Sequence, residues 1–472
     1  MKILLTGATG YIAKRLLPEL IEGGNFIVCC VRDKQRFNVD PAYKDQIEVV
    51  EVDFLIESDL AKLPLDIDAA YYLMHSMSSA IDYQNLESQS AQNFKEYANK
   101  TAVQQVLYLS GIVNESQLSK HLRSRKNVED ILASGDYPLT TLRAGIIIGS
   151  GSASFEIIRD LVEKLPVMIA PKWLKTKCQP IAVSDVVLFL KRSLLNKATY
   201  HQDFDIGGRS VLTYHAMLMG YARLRGLRRL IITVPVMTPR LSSYWLYFVT
   251  SVSFKLASAL VSSMKVEVIC RDSRLADLLN IQPLDYNEAL QRTLQRITEQ
   301  QVPSSWKDAA INGNITSDIQ SLKLIPYSES YVDHRTHPVT DYQATLNRIW
   351  SLGGDKGWYA ANGLWQLRGF VDKLFGGVGL RRGRTHQSII HPGDAIDFWR
   401  VVEADFKSGR LLLYAEMKLP GQAWLEFTLT HNSLEQKAIF KPHGILGRLY
   451  WYSVLPFHGF IFKKMNRKIA GG

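Results

Sequence analysis

The sequence predicts a doubly wound α/β unit, a parallel sheet with helices on both faces, followed by a smaller antiparallel α+β unit. Three observations carry this. The chain opens on MKILLTGATGYIAKRLLPEL, an apolar run, a glycine turn and a helical pattern in immediate succession. Near-continuous apolar strands then alternate with helical stretches, the signature of a sheet buried on both faces. Past residue 325 the pattern changes to the period-two alternation of antiparallel strands.

Taken in order, the apolar runs predict strands over 3–5, 26–32, 47–54, 69–76, 104–111 and 139–149, with helical stretches over 82–99 and 122–132 between them. After the first strand the chain must turn sharply, which glycine permits because it lacks a Cβ. Ile12, Leu16, Leu17, Leu20 and Ile21 then recur at helical spacing. Such a turn points the free N–H groups of the helix at its own mouth, where they bind phosphate oxygens. Gly7-x-x-Gly10-x-x-Ala13 is close to the dinucleotide fingerprint, with a small residue where helix meets strand. The candidate phosphate cradle is therefore Gly7, Thr9, Gly10, Tyr11 and Ile12. The second strand ends in Arg32. An acidic residue there favours NAD(H), whereas a guanidinium is shaped for the 2′-phosphate of NADP(H). NADP(H) is the expected cofactor over NAD(H), with Asp33 the one residue that argues the other way.

Thr6, the glycine spacing and Tyr11-Ile12 together resemble the extended and atypical members of the short-chain dehydrogenase/reductase superfamily, whose usual form reads TGATGxxG. The resemblance implies a Rossmann-type fold. It places Asp53 of EVDF, with Phe54 beside it, at the adenine, and Leu73, Met74 and His75 beside the middle of the cofactor. The superfamily often has an Asn-Ala-Gly type sequence at that last place, so LMH is a departure. Superfamily enzymes carry a Tyr-x-x-x-Lys pair on the helix after the fifth strand. Here SKHLRSRKNVED puts His121 and Arg125 at those positions, on one helix face. An imidazole moves protons near neutral pH, but arginine does not give one up. Ser110, ending YLSG, matches the substrate-positioning serine. CQPIAVSDVVLFL resembles a segment in which Ser184 or Asp185 caps a helix. HLRSR, IIGSGSASFE and TPRLSSYW, in that order, resemble a bacterial subgroup loosely called nucleoside-diphosphate-sugar epimerases.

In LLLYAEMKLPGQAWLEFTLTH, residues 413, 415, 417 and 419 share one face and residues 423, 425, 427 and 429 another, joined at Pro420-Gly421. Phe398 and Trp399 belong to a preceding strand. This half resembles a family of unknown function often fused to such reductases, with a helix-grip, START-like fold. Its aromatic stretch 359–377 either lines an apolar cavity or fills a core, and a filled core is the plainer expectation.

At 472 residues and 46 % hydrophobic composition the chain can bury several cores. The expected organisation is a nucleotide-binding domain over 1–215, a mainly helical substrate-side segment over 216–325, and a C-terminal domain over 326–472. Cys29, Cys30, Cys178 and Cys270 show no metal-like pairing, so no metal is expected, and a reducing cytoplasm fits. Met1 runs directly into the first strand, without a signal peptide. The net charge of +11 is uneven: Lys441, Arg448, Lys463, Lys464, Arg467 and Lys468 have no acidic residue among them. The uncharged LYWYSVLPFHGFIF within that tail is too short for a spanning helix of about 20 residues. Two readings stay open for it: packing on its own domain, or peripheral membrane contact. The serine-rich apolar stretch 241–264 is read as a buried or pocket-lining helical region. No helix-turn-helix or base-reading basic stripe is present, which argues against nucleic acid.

Three functions follow. The first is an NADP(H)-dependent oxidoreductase acting on a lipophilic small molecule. The second is a sugar-nucleotide epimerase, disfavoured by Arg32 and the missing Tyr-x-x-x-Lys pair. The third is a non-catalytic NADP(H) sensor, similar to NmrA-like regulators.

Overall fold

The computed structural model describes residues 1–34, 37, 39–74, 83–113, 120–234, 243–244, 246, 250, 258, 261, 264–298, 322–353, 356–374, 390, 392 and 394–471. The chain divides into two compact units, Met1–Ala310 and Ile311–Gly472.

In the first unit, seven parallel strands form one sheet: β1 (Lys2–Leu5), β2 (Phe26–Val31), β3 (Ile47–Glu51), β4 (Ala69–Tyr72), β5 (Gln105–Gly111), β6 (Leu139–Ala144) and, after four strands that lie outside this sheet, β11 (Gln202–Ile206). Their order is β11-β6-β5-β4-β1-β2-β3. The strands bury both faces. Ile3, Leu5, Cys29, Tyr71 and Leu107 enter one core with helices α1 (Ala13–Glu22) and α5 (Val183–Ser193). Leu4, Val28, Cys30, Tyr72 and Tyr108 enter the other, with α2 (Tyr83–Ala98) and α3 (Lys120–Ala133). This two-sided alternation is what the uninterrupted apolar strand text encodes. The strand order reverses between β1 and β4, and in open α/β sheets that reversal opens a crevice at the carboxyl ends.

Arg143 of β6 ties three elements together under the sheet. Its Nε donates to Glu129 Oε2 of α3 at 3.0 Å, its Nη2 to the other Glu129 oxygen, and its Nη1 to Asp203 Oδ2 of β11 at 2.5 Å.

The structure departs from three sequence expectations. The run 139–149 is broken, because the chain leaves the main sheet after Ala144 and β7 (Ile147–Ile148) pairs with β10 (Ile181–Ala182) instead. Neither Ser184 nor Asp185 caps α5; Ala182 is the cap residue, and Asp185 Oδ2 accepts from the Leu284 N–H at 2.8 Å. Burial raises the Asp185 pKa, and the Leu284 amide opposes it. Residues 417 and 419 lie in a link after the strand ends at Ala415.

The second unit is a six-stranded antiparallel sheet in the order β14-β19-β18-β17-β16-β15. Its strands are β14 (Tyr331–Pro338), β15 (Ala395–Ile396), β16 (Trp399–Asp405), β17 (Arg410–Ala415), β18 (Gly421–Leu429) and β19 (Ser433–Pro442). The helices α9 (Tyr342–Ile349), α10 (Asn362–Leu374) and α11 (Gly444–Ala470) accompany it, α11 running over β19 and β14. Trp365 of α10 sits within 5.4 Å of Trp358, 5.8 Å of Phe398 and 6.2 Å of Phe462, ring centre to ring centre, so this part of the aromatic stretch fills core. Most of the stretch 241–264 lies outside the described residues; Ser243, Leu246, Thr250 and Val261 within it are buried. No described helix is long and apolar enough to cross a membrane, and no metal-binding group occurs among the described residues. The four cysteines are free.

Candidate functional site

The glycine turn after β1 is pressed against the end of β4. Thr6 Oγ1 donates to Tyr71 O and accepts from the Leu73 N–H, both at 3.1 Å, so the two strand ends are stitched together. Gly7 adopts φ +62°, and a Cβ there would stand 2.8 Å from Leu73 O. A Cβ on Gly10 would stand 2.9 Å from Gly7 O. Only glycine fits either place without the backbone moving. The Ala8 N–H reaches Cys30 O at 3.3 Å, drawing the turn toward β2. No side chain caps α1, and no acidic residue occupies its first turn. The Lys14 and Arg15 N–H groups bond Gly10 O and Ile12 O, at 3.1 and 3.0 Å, which tightens the turn, and the helix dipole favours an anion at this end. This cradle fits a dinucleotide pyrophosphate.

Along the carboxyl edge the candidate residues fall in a line set by strand order. Asp53 follows β3 and Arg32 follows β2, neighbours because the Val52 N–H bonds Val31 O at 2.8 Å. The Gly7–Gly10 turn comes next, then Leu73 and Met74, then Ser110 at the end of β5. Arg32 is exposed. One oxygen of Asp53 is engaged by the Leu55 N–H at 3.0 Å. The Phe54 side chain is turned into the core beside Phe94, with ring centres 6.0 Å apart, and its carbonyl accepts from Asn93 Nδ2 at 2.7 Å. His75 lies outside the described residues, and of His121 only its place in the first turn of α3 is described.

Arg125 is brought to this edge. Its Nη1 donates to Leu109 O at 3.4 Å, next to Ser110, and it lines a cavity with Tyr72, Met74, Glu87 and Tyr108. Its buried Nε has no partner among the described residues. Burial pushes its pKa down to about 9, so the guanidinium still carries its charge at neutral pH. It can hold a charge at the strand ends; it is not the group that moves a proton.

The sequence reading missed Arg15. Its Nη2 donates to Ser150 O at 2.5 Å, and its guanidinium lies 4.5 Å from the centre of the Tyr11 ring. It pins the start of α1 to the turn that follows β7. Burial raises the Tyr11 hydroxyl to about 12, and Arg15 opposes that shift. The signal was available: Arg15 stands between Ile12 and Leu16 on a helix face otherwise read as apolar. Replacing Arg15 with Met is expected to cost about 1.5–3 kcal/mol, the worth of a charged buried hydrogen bond, read as a lower midpoint in urea. An unchanged midpoint contradicts the pinning role.

Residues 7–159 match the NAD(P)H-binding family. The N-terminal unit has an NAD(P)-binding Rossmann fold. Residues 328–465 match a protein family of unknown function, DUF2867, which leaves the START-like expectation without support. The fold is similar to that of a nucleoside-diphosphate-sugar epimerase from Staphylococcus aureus, with 15 % identity and a TM-score of 0.50 over 62 % of this chain and 100 % of that one. It is also similar to the NADPH-dependent quinone oxidoreductase QOR2 of Escherichia coli, solved with NADPH, with 17 % identity and a TM-score of 0.50 over 62 % and 99 %. A triphenylmethane reductase from Citrobacter sp. gives 16 % and 0.51 over 62 % and 100 %. A curated relative, the chloroplastic divinyl chlorophyllide a 8-vinyl-reductase of Cucumis sativus, is 23 % identical over 222 residues, 44 % of this chain. The match spans 52 % of that relative's length. Solved relatives of this Rossmann fold include one with NADPH and others with NAD.

Proposed function

We infer that this protein binds NADP(H) and works as a reductase or dehydrogenase on a lipophilic small molecule. The observation that carries the reading is the glycine cradle held against Leu73–Met74, with Arg32 as the first side chain beyond β2. The amides that open α1 would hold the pyrophosphate, and Arg32 the 2′-phosphate. The bound nucleotide supplies or accepts a hydride. Arg125 keeps a positive charge beside Met74 and the Ser110 strand end, where it orients an electron-rich group. Ser110 positions the substrate, and His121 is the candidate proton donor at the start of α3. Three of the similar proteins carry reductase or oxidoreductase names, in keeping with this reading.

Arg32→Asp tests the cofactor preference. The wild type is expected to bind NADPH at least tenfold more tightly than NADH, about 1.4 kcal/mol, and the variant to reverse the order. Equal affinities in the wild type would remove the assignment. A second reading, a non-catalytic NADP(H) sensor, is favoured by one observation: an arginine stands where the superfamily's lysine is expected, and no Tyr precedes it by four residues. Single-turnover oxidation of bound NADPH with quinone and dye acceptors separates the two, since a sensor binds without turnover. An epimerase would require a tightly retained NAD, which the same titration would reveal.

A further inference from the structure

We propose that the C-terminal unit carries a docking face for anionic phospholipid membrane, formed by α11 with α10. At 100° per residue, the buried side chains Trp451, Phe462, Met465 and Ile469 define one side of α11. The opposite side is segregated along the axis. Ile445, Leu446, Leu449, Tyr452, Phe457 and Phe460 occupy its first turns, each between 56 % and 77 % exposed. Lys463, Lys464, Arg467 and Lys468 occupy its last turns, also exposed. Next to it, α10 turns out Leu367 and Phe370, both more than half exposed. The helices touch where the Arg368 guanidinium lies 5.2 Å from the centre of the Tyr450 ring. Monomeric proteins rarely leave so many large apolar side chains together in water.

The charge pattern selects the occupant. From Lys441 onward the chain contains six cations and no acidic residue. An apolar face flanked by cations suits a helix lying in the plane of an anionic bilayer, its aliphatic and aromatic side chains at the acyl boundary and its lysines at the phosphates. A second copy docking on the same face would bring like charges together. Lys464 Nζ stands 5.8 Å from the Phe460 ring centre, so the apolar and basic sections meet without a polar gap. Pro456 sits on an exposed part of the helix, where its missing N–H leaves a carbonyl that water or a headgroup can satisfy. The inference stands whether or not the first unit turns over a nucleotide.

The test is co-sedimentation of the full chain with vesicles of phosphatidylcholine alone and of phosphatidylcholine with phosphatidylglycerol, two to one. Binding is expected to the anionic vesicles only and to weaken with salt. Leu449→Ser with Phe457→Ser should lower the partition coefficient by more than about tenfold through lost apolar burial. Lys463→Glu with Lys464→Glu should do the same through charge. Neither pair should shift the thermal unfolding curve, because these side chains face solvent. No binding to anionic vesicles overturns the proposal, as does binding that both pairs leave intact. A concentration-dependent dimer that Leu449→Ser with Phe457→Ser abolishes, without any vesicle binding, assigns the face to a second copy instead.

Discussion

Gly7→Val is expected to abolish nucleotide binding by the N-terminal unit, with affinity falling at least about a hundredfold, or 2.7 kcal/mol. Two costs combine. A β-branched residue at φ +62° is strained by about 1–3 kcal/mol. Its Cβ would also meet Leu73 O at 2.8 Å, against backbone that cannot swing aside as a side chain would. The turn must lift away from β4, taking the amides of α1 out of line with the pyrophosphate. The measurement is a fluorescence titration with NADPH, paired with a thermal melt to show that the variant remains folded. Retained affinity in a folded variant would mean that the phosphates are bound elsewhere.

Arg143→Ala is expected to destabilise the same unit by about 3 kcal/mol, the lower part of the range for breaking a buried ion pair. The value sits low because Lys126 still reaches Glu129 Oε1 at 3.0 Å, and Arg271 still pairs with Asp203 and Asp205. The loss comes from leaving Glu129 buried with a weaker counter-charge, so Arg143→Met combined with Glu129→Leu should recover part of it. Urea unfolding, followed in the transition that belongs to the N-terminal unit, reads both. If the double variant is as unstable as the single, the cost is one of packing and not of charge.

The parallel sheet was legible because its strands are apolar on both faces, and a run such as ILL or IVCCV has one stable setting, between two layers of helices. The glycine turn was legible for a related reason: the spacing encodes a backbone demand that no other residue meets. What escaped depends on contacts between residues far apart in the chain. Nothing local marks Arg143 as the partner of Glu129 and Asp203, and Arg15 acquires its role only when Ser150 arrives beside it, 135 positions on. The length of the tail helix was not legible locally either. The uncharged run around Pro456 is short by itself, but α11 begins at Gly444 and runs through the proline and the lysines to Ala470. The lysines continue the helix on its solvent side. Phe54 shows the opposite limit. Its position by analogy is at the strand edge, yet its ring belongs to the core beside Phe94.

Calorimetric titration of the full chain with NADPH tests the central claim most directly, that the uncapped start of α1 and its glycine turn cradle a dinucleotide. The expected result is saturable binding of one NADPH per chain, tighter than NADH and lost in Gly7→Val. A folded wild-type chain that takes up neither nucleotide would contradict it.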